Sequence, residues 1–133
     1  MVFVKSHIEK RISEILSAEK RGGMPRLMLD VLRALVVYRG TSWKSELVRE
    51  LSFFHAFKGE PEVVGGEELN EALGSLEKEG LVKVERRVRA DMSARSDVED
   101  QLITLVDFLA TRNALARDRV LTSYTREQIM ASR

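Results

Sequence analysis

Apolar residues recur with a helical period over the first eighty positions and then with a period of two. Ile8, Ile12, Ile15 and Leu16 stand at helical spacing, Ser6 and Glu9 have the capping-box interval, and Gly22-Gly23 ends the run. The pattern predicts a helix with one narrow apolar stripe, its other faces carrying Lys5, Lys10, Arg11, Glu14, Glu19 and Lys20. Pro25 suits the first turn of a second helix, where its missing N–H has no intrahelical role. Met28, Val31, Leu32, Leu35 and Val36 give that helix a wide buried face, and Gly40 supplies a left-handed stop. Thr41-Ser42 caps a third helix, with Trp43, Leu47, Leu51 and Phe54 at i, i+4, i+8 and i+11, and Phe53 and Phe57 widening the stripe. Gly and Pro interrupt the chain from Lys58 to Gly66. A fourth helix follows from about Glu67 to Glu79, with Leu69, Ala72, Leu73 and Leu76 on one face and Gly80 closing it.

From Leu81 the pattern alternates. Val82, Val84 and Val88 point one way and Lys83, Glu85, Arg87 and Arg89 the other, with Arg86 interrupting the apolar series. Residues 90–98 are small and polar, and Leu102-Ile103-Thr104-Leu105-Val106 reads as a returning strand, because a lone strand leaves its backbone groups without a ladder. The rival reading makes residues 98–121 one helix: Ser96 and Glu99 have capping-box spacing, and Val98, Leu102, Leu105 and Leu109 fit a stripe. A last helix over Leu109 to Leu121 is expected on either reading, with the tail after Ser123 frayed.

The order of helix, helix, helix and hairpin, with one further helix at each end, resembles a winged-helix domain, the helix-turn-helix variant that carries a β-hairpin wing. The most specific match is Leu69-Asn-Glu-Ala-Leu-Gly-Ser-Leu-Glu-Lys-Glu-Gly80-Leu-Val-Lys-Val84, which is similar to the junction where the recognition helix of such domains ends at a glycine and enters the first wing strand. The resemblance covers about residues 25–108. With residues 1–24 and 109–133 as flanking helices, the chain also resembles dimeric regulators of the MarR type. The resemblance implies a mainly α fold with a small β-hairpin, double-stranded DNA as partner, transcription regulation as function, and a homodimer joined through the flanking helices. In one respect the chain departs from the family: about nine residues, Lys58 to Gly66, stand where a short turn is usual.

Composition narrows the function classes. The chain has 133 residues, 44% hydrophobic and 32% charged, enough for one domain with its own core. With no Cys, disulfides, thiolate zinc sites and cysteine nucleophiles are excluded together. The run Leu35-Val36-Val37-Tyr38 is far short of the ~20 residues a membrane span needs, and Met1-Val2-Phe3-Val4-Lys5 lacks a signal-peptide apolar region, so a cytoplasmic protein without membrane partners is expected. His7 and His55 stand apart without other ligands, and neither Arg21-Gly22-Gly23 nor Gly65-Gly66 has the spacing of a phosphate loop. No metal, cofactor or enzymatic activity is therefore expected. Two Asn and two Gln beside abundant Glu and Arg give a thermophile-like composition.

The formal net charge of +1 hides a partition: +4 over residues 1–40, −5 over 41–80, +3 over 81–96 and −1 over 97–133. The outward face of the fourth helix shows Glu67, Glu71, Gly74, Ser75 and Lys78, and each Glu there repels phosphate. Ser75 and Lys78 are its only candidate base readers. The basic side chains come one element later, and the candidate DNA contacts of the wing are Lys83, Arg86, Arg87, Arg89 and, near the hairpin tip, Arg95. Winged helices also dock proteins, and the alternative is an interaction module of a transcription, replication or repair complex whose acidic helix around Glu67 and Glu71 meets a basic partner.

Overall fold

Eight consecutive residues of the second helix, Met28 to Leu35, are buried, and a helix buried all round belongs at the centre of its fold. The computed structural model, which describes residues 7–59, 65–91 and 96–131, places it there. Helix α2 (Gly23–Val37) packs against α1 (His7–Ala18), α3 (Lys44–Phe57), α4 (Gly66–Lys78) and α5 (Phe108–Ala114). A 3-10 turn, Glu19–Arg21, joins α1 to α2. The strands are β1 (Thr41–Trp43), β2 (Val82–Asp91) and β3 (Ser96–Leu105), and the chain continues into α6 (Arg119–Ala131). The sheet is antiparallel throughout, in the order β1-β3-β2. The fold is thus mainly helical with a small sheet. Ile12, Leu32, Leu47, Leu69, Leu81 and Ile103 bring α1, α2, α3, α4 and the sheet end into one fully buried core. Among the described residues no helix is long and apolar enough to cross a membrane.

Residues 96–105 are a strand, so the single helix over residues 98–121 is excluded. Three other elements differ from the sequence pattern. Thr41 and Ser42 do not cap α3: they pair with Thr104 and Ile103 as β1, covering the second edge of β3, and α3 starts after Trp43 with no side-chain cap. Two residues with positive φ follow α2, Arg39 at φ 62° as well as the expected Gly40 at φ 104°. The Arg39 N–H donates to Val36 O (3.0 Å) and that of Gly40 to Leu35 O (2.7 Å), the paired bonds of a Schellman cap shifted by one residue. A Cβ at Gly40 would also lie 3.3 Å from the Phe108 ring. The expected last helix is split into α5 and α6 at Leu115 to Asp118, and α6 runs on past Ser123 to Ala131. Asp107 accepts from Ala110 N–H and Asp118 from Leu121 N–H, both at 3.0 Å, so each helix has its own cap. The expected Ser6 cap of α1 lies outside the described residues.

At Gly80 (φ +76°) the sequence pattern holds. Gly80 N–H donates to Glu77 O and Leu81 N–H to Leu76 O, and the buried Leu76 and Leu81 supply the apolar contact of that motif. Glycine thus turns the chain from α4 directly into β2. Val82, Ile103 and Leu105 anchor the base of the β2–β3 hairpin in the core, while Val88 is exposed. The ladder from Arg86 to Asp91 therefore extends about 20 Å beyond the core at ~3.3 Å per residue.

A central helix cannot bury charges without partners, and α2 buries two. Arg33, fully buried, uses all five of its N–H groups. Nε and Nη2 clamp Asp118 (2.7 and 2.9 Å), Nη1 and Nη2 clamp Glu19 (2.6 and 3.1 Å), and Nη1 also reaches Asp30 (3.0 Å). Burial opposes the charge on Arg33, and the bonds to Glu19 and Asp118 outweigh it and raise its pKa. Asp30, 1% exposed, accepts in turn from Lys58 Nζ (3.0 Å) and lies 3.0 Å from His55 Nε2. Beside this network Tyr124 holds α6 to α3. Its ring packs on Phe54 and Phe57 (centroids 4.8 and 5.3 Å) and its hydroxyl donates to Glu50 at 2.5 Å. Burial, then Glu50, pushes the Tyr124 phenol up.

Two substitutions check this account. Asp118→Ala removes two acceptors from a buried guanidinium and the cap of α6, and should cost about 3–5 kcal/mol in urea unfolding, with faster amide exchange in α6; a cost below about 1 kcal/mol would contradict the network. Arg39→Gly relieves a left-handed L-residue and should add about 1 kcal/mol, raising Tm by roughly 3 °C in a thermal melt.

Candidate nucleic-acid interface

Alternation along β2 sorts the candidate cations onto two faces of the hairpin. Lys83, Arg87 and Arg89 share a face with Trp43 and with Asp100 of β3, whereas Arg86 shares the face of Val82, Val84 and Val88. Every one of the four has a carboxylate of the hairpin within ion-pair distance. Lys83 Nζ lies 2.7 Å and Arg87 Nη2 2.5 Å from the two oxygens of Glu85, Arg86 Nε is 3.7 Å from Glu99, and Arg89 Nε is 3.0 Å from Asp100. The hydrogen bonds from Lys83 and then Arg87 hold the Glu85 carboxyl down to about 2.

These cations are not equally available. The Arg86 side chain is 80% exposed and that of Arg89 only 27%. Arg89 lies over the Trp43 ring (5.4 Å to its centroid) and donates to Ser45 Oγ at 3.0 Å, so it ties the hairpin to the start of α3. Burial opposes ionisation of Asp100, but bonds from Ser45 Oγ (2.7 Å), Gln101 N–H (2.8 Å) and Arg89 outweigh it and hold the pKa below its ordinary value. Arg95 lies outside the described residues.

On α4 the outward face is as acidic as its sequence. Glu67, Glu68, Glu71 and Gly74 are exposed, Ser75 is half-buried and Lys78 is exposed. Among the described residues neither Lys78 nor the three glutamates have an ion pair. Glu79 is engaged by Arg11 of α1, and Glu77 accepts from Val84 N–H (3.2 Å). The structure brings Lys78 and the β2 cations to neighbouring elements, but the hairpin cations sit among their own acids. Of the aromatic residues, Phe54 is fully buried, Phe57 and Trp43 are half-buried and Phe53 is exposed.

A second basic surface went unnoticed in the charge map. Arg112, Arg117, Arg119 and Arg126 are exposed around the turn between α5 and α6, and among the described residues none has an ion pair. Their segment sums to −1, yet Asp97, Glu99 and Asp100 belong to the hairpin, and Asp107 and Asp118 are engaged as caps. The readable signal was the clustering of four Arg within fifteen positions, once capping acids are set aside. No family model matches the chain, and no curated protein is similar to it.

Protonation of Asp100 should release the Arg89 tether. Asp100 has a folded pKa below its unfolded 3.8, so its contribution is present above that pH and fades as pH falls through the folded value. Emission of the sole tryptophan, Trp43, should shift as pH falls below 3.8 while far-UV circular dichroism holds, and Asp100→Asn should abolish that separate step. Coincident changes in both signals would contradict it.

Proposed function

We propose that the chain is a winged-helix protein that binds double-stranded DNA as a transcription regulator, with the β2–β3 hairpin as the leading contact. The observation that carries this reading is the order of α2, β1, α3, α4, β2 and β3 around a sheet ordered β1-β3-β2, with a ribbon of paired strands projecting past the core. A two-stranded ribbon fits a DNA groove, and arginine suits phosphate and minor-groove contact. The internal ion pairs do not prevent this, because exposed pairs contribute only about 0–1 kcal/mol and a phosphate can replace the carboxylate. Arg86 and Arg87 are the main phosphate contacts, Lys83 and Lys78 flank them, and Ser75 is the remaining candidate reader on α4. Arg89 positions the hairpin through Trp43 and Asp100. Arg95 belongs to the same reading by its place in the sequence. The acidic start of α4 keeps that helix back from the phosphates and makes the hairpin lead.

A second reading, docking of a basic protein on Glu67, Glu68 and Glu71, is favoured by the same internal pairing, which leaves the hairpin with little free positive charge. The homodimer expected from the flanking helices gains no support from α1, whose Ile12 and Ile15 are buried within the chain itself.

Fluorescence anisotropy with a random duplex of about 20 base pairs separates the readings. Binding at low salt should weaken steeply with added salt, and Arg86→Ala with Arg87→Ala should lower the logarithmic salt slope by about two and weaken binding on all sequences alike. Lys78→Ala should matter less, and Glu71→Gln should strengthen binding modestly. Absence of binding at low salt overturns the DNA reading in favour of protein docking.

A further inference from the structure

Helix α6 buries side chains in its first half, among the described residues. Leu121 and Tyr124 are buried, but Thr125 to Met130 are all exposed, with Ile129 and Met130 54% and 62% accessible. Beside this half of the helix a groove of about 610 Å³ runs between α5 and α6. Leu115 and Leu121 form its floor, Ile129 and Met130 its wall, and Arg112 and Arg126 its rim. The groove follows ten residues of helix from Leu121 to Met130, nine rises or roughly 14 Å, which matches two to three turns of a docked helix. An apolar trough of that length with cations at its edges is the complement of a helix with apolar anchors at i, i+3 or i+4 and i+7 and carboxylates beside them.

We propose that the α5–α6 groove docks an acidic amphipathic helix of a partner protein, its apolar side chains over Leu115, Leu121, Ile129 and Met130 and its carboxylates at Arg112 and Arg126. Charge complementarity selects this occupant. Arg112 and Arg126 line the groove and Arg117 and Arg119 stand around the turn between its two helices, none of the four with an ion pair among the described residues, and Glu127 is the one exposed acid of α6. A second copy paired two-fold across this groove would set Arg112 and Arg126 against arginines of its own kind. Nor does the acidic helix α4 of another copy fit, since Leu69, Leu73 and Leu76 are buried and its exposed face carries no apolar anchor. Nucleic acid would meet the arginines but leave Ile129 and Met130 uncovered. The inference stands independently of DNA binding by the hairpin, because the two surfaces share no residue.

The test uses the full chain and three labelled helical peptides of about fifteen residues: Leu anchors at i, i+3 and i+7 flanked by Glu, the same anchors flanked by Lys, and a scrambled acidic control. The acidic amphipathic peptide should bind at least about tenfold tighter than the other two. Ile129→Asp should weaken it about tenfold, and Arg112→Glu with Arg126→Glu should reverse the preference to the Lys peptide. All three positions are exposed, and thermal melts of the variants matching the parent confirm that folding is intact. Equal binding of the three peptides, no binding of the acidic one at about millimolar concentration, or full competition by duplex DNA overturns the proposal. So does light scattering that reports a dimer which Ile129→Asp converts to monomer, since a second copy then covers the groove.

Discussion

The buried guanidinium of Arg33 is the constraint around which the rest of the structure is arranged. A charge fully removed from water is tolerable only when every donor is satisfied, and the carboxylates that do so come from Glu19 before α2, Asp30 within it and Asp118 far beyond it. The guanidinium therefore fixes how the 3-10 turn enters α2 and where the turn between α5 and α6 lies. Asp30 extends the same network to His55 and Lys58 at the end of α3. Leucines could fill this volume without specifying a direction. Five short bonds with fixed geometry hold three segments of chain in one register.

The same accounting of carboxylates governs the surface. Acids drawn inward or used as caps no longer offset nearby cations, so the turn between α5 and α6 becomes basic although its segment is acidic in sum. On the hairpin the opposite holds. There the pleat and the register bring Glu85, Glu99 and Asp100 beside the four β2 cations, and the positive stretch in the sequence is muted in space. Net charge by segment describes a nucleic-acid footprint only when the segments are not paired with one another.

Trp43 joins these two themes. As the last residue of β1 it pairs with Leu102, and as the residue before α3 it stands where the helix begins, so its ring lies under Arg89 at the root of the projecting ribbon. At Arg89 the hairpin is thus stiffened by a cation–aromatic contact with Trp43 and an ion pair with Asp100. Arg89, expected from the sequence as a DNA contact, is therefore part of the scaffold that holds the hairpin.

By itself the sequence determined the elements whose reasons are local. The stripes of α1 to α4 are the 3.6-residue period of their apolar positions, Gly80 ends α4 because only glycine is at ease at that positive φ, and the alternation of β2 follows from its pleat. The acidity of the outer face of α4 was equally legible, since a helix places Glu67 and Glu71 together wherever it packs. Tertiary structure decided what depends on distant partners. Thr41–Trp43 is too short to carry a strand pattern and became one because β3 had an edge to cover, with Thr41 Oγ1 donating to a carbonyl 62 residues away. Asp118 interrupts the last helix because an arginine 85 residues earlier draws its carboxylate while the same group caps α6. Which cations remained available could not be read along the chain, because a carboxylate neutralises the charge nearest in space and not the one nearest in sequence.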